Sequence, residues 1–317
     1  MKRILITGSK GTIGLKLLEE LKGRGYSVFG IDLFHRAGEK GFSQKMGNEK
    51  WEYARCDIGE YRQIERIMEE AGRFDIVYNC AAEFGRWNGE DYYEQMWKSN
   101  LIGLKNILKL QEKDNFELIH FSSSEIYGNY EGIMREDTPE KQTINQMNDY
   151  AISKMANEQQ IRNSRELYKT RTVIVRLFNT YGEGEEYTPY RSVICKFCYH
   201  ALMGLPITIY KGHYRSHTYI DDCVKALANI TDNYIDGRIY NIGSSEYFSI
   251  EAIADIIWKI TGASKNLIKY ENMEKMTTRR KKVDINLSIK ELDYKQTVNI
   301  KEGIEKTVDW MKGFYRL

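Results

Sequence analysis

Tyr150 and Lys154 stand four residues apart, the spacing that puts two side chains on one face of a helix, one turn from each other. A phenol beside an ammonium is the raw material for a base. Free tyrosine titrates near 10, so basic action near pH 7 needs roughly 3 pK units, about 4 kcal/mol, of preferential phenolate stabilisation. A cation a few ångströms away in a partly dry site supplies energy of that order. Near the start of the chain, Thr7-Gly-Ser-Lys-Gly-Thr-Ile-Gly14 follows an apolar run. Gly8, Gly11 and Gly14 let the backbone turn sharply and approach a pyrophosphate, and the helix opening at Thr12 and Ile13 points its positive end at that anion. The two elements together point to hydride chemistry with a dinucleotide.

Further residues extend the pattern. Asp32 lies eighteen residues beyond Gly14 at the end of a second strand, where a carboxylate accepts hydrogen bonds from a ribose diol and repels a 2′-phosphate. That favours NAD; Arg36 keeps NADP open. Asp57 and Ile58 follow a third strand, where they can hold an adenine edge, and Cys80, Ala81 and Ala82 follow a fourth, with side chains small enough for backbone to meet a flat cofactor. A polar run, Phe121-Ser-Ser-Ser124-Glu125-Ile-Tyr-Gly128, ends a fifth. A hydroxyl there can hydrogen-bond the reacting oxygen, and the Glu125 carboxylate can handle a second proton.

Alternating β-rich and helical segments must position these residues. Strands are predicted at 3–6, 27–31, 52–55, 75–78, 117–121 and 172–176, with helices near 12–24, 60–71, 90–113 and 147–167. This is an α/β, Rossmann-type doubly wound parallel sheet, with ligands expected at the carboxyl ends of its strands. Residues 1–176 read as the dinucleotide-binding domain carrying the catalytic groups. Beyond them, 177–317 reads as a smaller, partly interleaved substrate lobe with a helix near 190–204; no Pro-rich linker separates the two.

A length of 317 residues gives ample volume for a core. Lys and Arg number 47 against 45 Asp and Glu, scattered along the chain, which argues against a nucleic-acid surface. The five cysteines favour a reducing compartment over a disulfide framework. Cys195 and Cys198 have half the spacing of a metal site, but with no second pair they read as helix packing, and no metal is expected. No apolar stretch approaches a membrane span, so cytoplasmic residence is the expectation.

With these residues in place, the chain resembles the extended short-chain dehydrogenase/reductase family, in particular its NAD-dependent nucleotide-sugar epimerases and dehydratases. The likeness rests on the loop at 7–14, Asp32, Asp57-Ile58, the stretch 79–82, Asn100 in Ser-Asn-Leu-Ile-Gly103, the serine run with Glu125, Tyr150 with Lys154, Arg176-Leu-Phe-Asn-Thr-Tyr-Gly182, Arg215 with Tyr219-Ile-Asp-Asp222, and Tyr240-Asn-Ile-Gly243. It implies that a nucleotide-diphosphate sugar places its C4 hydroxyl on Tyr150 and Ser123 while the C4 hydride passes to NAD. Asn100 would flank the cofactor. Asn179, Arg191, Arg215 and one of Arg279 or Arg280 would neutralise the diphosphate, since guanidinium forks match phosphate oxygens.

The fate of the resulting 4-keto sugar stays open. C4 epimerisation stands slightly ahead of 4,6-dehydration and of release as a C4 dehydrogenase product. By resemblance, the dTDP-glucose dehydratase branch has Asp-Glu where this chain has Ser124-Glu125, so that Asp is missing; the hydroxyl-then-Glu pattern matches the GDP-mannose branch, and sugar decarboxylases and some epimerases share the Glu, so Glu125 permits elimination without proving it. Glu83, Arg86 and Trp87 depart from the commoner family sequence and are expected to face the sugar. A silent NAD-binding regulator is the rival class, and the intact Tyr150, Lys154 and Ser123 argue against it. The resemblance also implies a homodimer, with Ile102, Leu108, Met155 and Ile161 as candidate exposed apolar contacts.

Overall fold

Strands whose residues are buried on both faces carry near-continuous apolar runs, and Ile4, Leu5, Ile6, Ile76, Val77, Leu118, Ile119, Val173 and Val175 fit that description. In the computed structural model, which describes residues 1–34 and 52–317, they lie in β1 (Arg3–Thr7), β4 (Ile76–Asn79), β5 (Glu117–Ser123) and β6 (Thr172–Leu177). With β2 (Ser27–Asp32), β3 (Tyr53–Arg55) and β7 (Ile239–Ile242) they form one seven-stranded parallel sheet, ordered β7-β6-β5-β4-β1-β2-β3. The chain winds outward from β1 to β3 and returns through β4, so the loops after β1 and β4 diverge there and open a crevice. Arg36 lies outside the described residues.

The six expected strands are all present, and the seventh comes from the C-terminal part. β7 pairs with β6 in register Ile239↔Ile174 and Ile242↔Leu177. A single apolar cluster runs from Ile4 and Tyr78 through Val175 to Leu227, Ile253 and Ile304. The two parts of the chain therefore share one core.

The helix expected at 90–113 is broken into Arg86–Asp91, Tyr93–Met96, a π-helical turn Trp97–Ile102 and Gly103–Asp114. The extra residue of a π turn shifts the helix face locally, a feature common at functional sites. Asn100, on that turn, is buried. Helix Asp149–Tyr168 runs beside it, capped by the Asn148 side chain, which accepts from the Ala151 N–H at 2.8 Å. Leu108 and Ile161 are buried in the core and are not available for self-association, because the periodicity that marked them as an apolar stripe faces the sheet. Ile102 is exposed and Met155 half-buried.

Small strands follow in the C-terminal part. Arg280–Val283 lies between Tyr214–Arg215 and Ile133–Met134, pairing Arg215↔Lys281 and Val283↔Met134. Its residues alternate exposed, buried, exposed, buried. Cys195 and Cys198 are buried on helix Val193–Met203, with the Cys195 thiol donating to the Glu185 carbonyl. Among the described residues no helix is long and apolar enough to cross a membrane.

Candidate active site

The loop after β1 packs too tightly for side chains. A Cβ on Gly14 would stand 2.1 Å from the Gly8 carbonyl oxygen, and one on Gly8 would stand 2.8 Å from the Ala81 backbone. Gly8 also has φ +69°, a conformation that favours glycine. Thr7 Oγ1 donates to Asn79 Oδ1 at 2.8 Å and accepts from the Ala81 N–H at 3.0 Å, which fixes the loop after β4, with Cys80 and Ala82, against the loop after β1. Asp32 is buried and accepts from the Lys10 N–H at 2.8 Å and the Phe34 N–H at 3.0 Å. A carboxylate has about four lone-pair sites, so Asp32 can brace the loop and still accept a ribose hydroxyl. This glycine cradle at the mouth of a helix fits a dinucleotide pyrophosphate. Thr12 Oγ1 donates to the Gly184 carbonyl across the crevice at 3.2 Å, and Ile13 packs against the core.

Asp57 and Ile58 are engaged elsewhere. The Asp57 carboxylate accepts from the Gly59 N–H at 2.8 Å and from Lys98 at 3.0 Å, and Ile58 is buried against Gly103. Their main chain is also held: the Asp57 N–H donates to Gln63 Oε1 at 2.9 Å and the Ile58 carbonyl accepts from Asn106 Nδ2 at 2.8 Å. Asn100 grips the Glu83 main chain, accepting its N–H at 2.9 Å and donating to its carbonyl at 3.0 Å, and also donates to Ser153 Oγ at 3.0 Å.

Ser123 closes β5 and Ser124 and Glu125 open the one-turn 3₁₀ helix Ser124–Tyr127, whose Glu125 N–H donates to Ser123 Oγ at 3.2 Å. Ser123 also hydrogen-bonds Tyr150. Lys154 is buried and donates to the Phe121 carbonyl at 2.8 Å, with Nζ 5.9 Å from the Tyr150 ring centroid. The trio comes together as the spacing predicts. Burial dominates the electrostatics of the trio. Burial first, with Glu125 adding to it, pushes the Tyr150 phenol up to about 12 against the lowering bond from Ser123. Burial likewise pulls Lys154 down to about 8, while Cys80 and Glu158 work the other way. Desolvation, invisible in a four-residue spacing, is the largest influence on both groups.

At the other end of the site the cation that meets Glu125 is one that the sequence reading did not single out. Arg279 and Arg280 are exposed, because strand alternation turns Arg280 and Lys282 out and Lys281 in. Lys281 Nζ lies 2.5 Å from Glu125 Oε1, with side-chain exposures of 2% and 19%. Burial pushes the Glu125 carboxyl up, but Lys281, Arg86 and Arg215 outweigh it and hold it at about 2. Three consecutive cations, Arg280-Lys-Lys282, carry no local signal that singles out Lys281; the pairing of the strand decides which one turns inward.

Arg215 is held largely by main-chain carbonyls. Its guanidinium donates to the carbonyls of Tyr214, Thr278 and Arg279 at 2.9, 2.8 and 2.9 Å, and to Thr277 Oγ1 at 3.1 Å. It braces the 277–279 segment with most of its fork and supplies charge to Glu125. Arg86 pairs with Glu274 at 2.8 Å and donates to the Lys275 carbonyl at 3.1 Å, tying the loop after β4 to the same segment. Glu83 accepts from Asn88 Nδ2 at 3.1 Å, and Trp87 is exposed. Asn179, at φ +41°, donates to the Ser216 carbonyl at 2.9 Å. Arg191 stacks 4.9 Å above the Phe84 ring and donates to the Glu186 carbonyl at 3.0 Å.

Comparison with known proteins agrees with this geometry. Residues 4–243 match the NAD dependent epimerase/dehydratase family. The chain is 28% identical to the UDP-N-acetyl-alpha-D-glucosaminuronate decarboxylase of Bacillus cytotoxicus and 28% identical to a putative UDP-glucose 4-epimerase of Methanocaldococcus jannaschii, covering 98% of each chain in both comparisons. The crystal structure of a Bacillus cereus UDP-glucuronic acid 4-epimerase mutant, in complex with UDP-4-deoxy-4-fluoro-glucuronic acid and NAD, superposes with a TM-score of 0.84 at 25% identity, covering 99% of this chain and 100% of that one. The glycine cradle, Asp32 and the Ser123, Tyr150 and Lys154 cluster are thus held on a shared fold along the whole chain, which belongs to the NAD-dependent epimerase/dehydratase family and is an NAD-dependent enzyme of the nucleotide-sugar type.

Proposed function

We propose that this enzyme oxidises C4 of a nucleotide-diphosphate sugar and then eliminates water across C5 and C6 of the 4-keto sugar. The carrying observation is the pairing, on one segment, of Ser123 hydrogen-bonded to Tyr150 with an ionised Glu125 two residues on. NAD, when bound, supplies the hydride acceptor at C4 and a positive charge beside the phenol. Tyr150 takes the C4 hydroxyl proton, and Ser123 holds that oxygen in place. Lys154, anchored on Phe121, keeps a cation on the far side of the ring. Asn179, Arg191 and Arg215 are the groups we assign to the nucleotide diphosphate.

A ketone at C4 makes the C5 proton acidic, and a carboxylate that is ionised at neutral pH is the base for it. The arrangement supports elimination over loss of CO2 from a uronic acid. Glu125 would repel a sugar carboxylate, and the nearby cations Lys281 and Arg86 already have the anionic partners Glu125 and Glu274. C4 epimerisation is the second reading, favoured by the likeness to 4-epimerases; it needs no acid or base at C5.

The test is incubation with NAD and a panel of nucleotide sugars in D2O, followed by mass spectrometry and NMR. Loss of one water together with two hydrogens, or of one water alone where the hydride taken from C4 would be given back at C6, supports elimination; inversion at C4 with no solvent deuterium on carbon supports epimerisation and defeats elimination. Tyr150→Phe should lower turnover 10²–10⁴-fold with NAD affinity within about twofold. Retained turnover would remove Tyr150 from the chemistry.

A further inference from the structure

We propose that Lys281 is the general acid of the elimination, protonating the hydroxyl that leaves C6 while Glu125 takes the proton from C5. This assignment rests on the elimination reading above. Four observations carry it. Lys281 is inward-facing on Arg280–Val283 and laterally paired with Arg215, so both side chains share the face turned toward Glu125. Its ammonium is 2.5 Å from the Glu125 carboxylate and is buried. Glu125 in turn opens the one-turn helix that follows Ser123, the hydroxyl that hydrogen-bonds Tyr150, so the pair sits on the same segment as the group assigned to the C4 oxygen. Finally, Asn148, which caps the helix carrying Tyr150, donates to the Met276 carbonyl at 3.1 Å and approaches Glu125 at 3.5 Å, joining the two ends of the site.

The step balances without an added reactant. With C4 a ketone, the C5–H bond breaks and its proton goes to Glu125. The electron pair forms the C5=C6 double bond, the C6–O bond breaks, and the Lys281 ammonium gives the departing oxygen its proton, so water leaves. The pair ends as carboxylic acid and amine, and transfer across their shared hydrogen bond restores it. A base and an acid in contact suit a C–H and a C–O bond on adjacent carbons with both groups on one side. Lysine suits this role where arginine would not, because a guanidinium stays protonated. The groups facing Lys281 are Glu125 after β5, Arg86 on Arg86–Asp91 and Arg215 on the neighbouring strand; burial, Arg215 and Arg86 pull its pKa down to about 8 against the raising effect of Glu125. Its proton is present at pH 7 and readily given up.

The experiment is a single turnover of the full chain with NAD in D2O, with UDP-glucose, UDP-N-acetylglucosamine, GDP-mannose and dTDP-glucose in separate reactions. It follows NADH absorbance, deuterium at C5 and loss of water. Lys281→Arg keeps the charge and the ion pair, so it should fold. NADH should form at the wild-type rate and C5 should exchange deuterium, while dehydrated product falls at least about 100-fold. Lys281→Met removes the acid altogether and should show the same split if it folds; Lys281→Arg decides the matter if it does not. Dehydration by Lys281→Arg within threefold of wild type would overturn the assignment. C4 inversion by the wild type with no loss of water from any sugar would overturn it too, while leaving C4 oxidation standing. No NADH from the wild type with any of the four would overturn the C4-oxidation reading and the assignment with it.

Discussion

Two buried ion pairs flank β5, and they are built for opposite purposes. Beneath the strand, Arg176 and Glu158 meet at 2.8 Å with side-chain exposures of 3% and 6%. Arg176 also donates from Nε to Glu158 at 3.0 Å, to Tyr127 Oη at 3.0 Å and to the Glu136 carbonyl at 2.7 Å, and Ser122 donates to Glu158 at 2.6 Å. At the mouth of the same strand, Lys281 and Glu125 share one short contact in a site with a partly exposed carboxylate. A guanidinium locked in a full set of acceptors holds its proton and position. An ammonium on one carboxylate can part with its proton. Desolvation makes either pair a poor source of net stability, so the first is read as a brace for the Ser122–Tyr127 segment and the second as working chemistry.

The largest expected effect breaks the brace. Arg176→Met leaves Glu158 buried without its cation and should cost about 3–5 kcal/mol, read as a shift of the urea midpoint; a shift equal to that of an average surface substitution would erase the contrast between the pairs. Breaking the second pair costs less, since water reaches Glu125. Glu125→Gln should destabilise by about 1–3 kcal/mol, and the double variant Glu125→Gln, Lys281→Met should regain much of it, because no unpaired charge remains.

A pH scan sharpens the comparison further. Folded Glu125 titrates at about 2 against an ordinary value of 4.5. The unfolded chain therefore binds the extra proton between those values, so this stabilisation is complete above pH 4.5 and is lost as pH falls toward 2. The amount is up to about 3 kcal/mol, and Glu125→Gln should flatten that part of the stability curve. An unchanged curve would mean that Lys281 does not hold the carboxylate ionised. The smallest effect is expected at the neighbour that the sequence favoured. Arg280→Ala, at an exposed position, should alter stability by no more than about 0.5 kcal/mol and leave the product unchanged. A large loss of activity there would put Arg280 against the nucleotide diphosphate.

What was legible in the chain shares a physical character. β1 through β6, the glycine loop, Asp32, and the Ser123, Tyr150 and Lys154 cluster are local signals, because a strand, a tight turn and a helix face impose spacings of a few residues. The serine run and Tyr150 lie only about 25 residues apart and on adjoining elements. The seventh strand, the π turn that aims Asn100 at Glu83, the bridge from Arg86 to Glu274 and the contact of Lys281 with Glu125 were not legible. The strand, the Arg86 bridge and the Lys281 contact join segments far apart in the chain, the π turn interrupts the helical period, and no local period encodes which partners meet.

Sequence by itself determined the parallel α/β sheet, the dinucleotide cradle and the grouping of Tyr150 with Lys154, since backbone geometry and side-chain chemistry within short windows suffice for them. Only the tertiary structure decided which cation of 279–282 turns inward and how charges settle in the site. Burial depth and long-range pairing set those, as the Tyr150 phenol raised to about 12 and the Glu125 carboxyl lowered to about 2 both demonstrate.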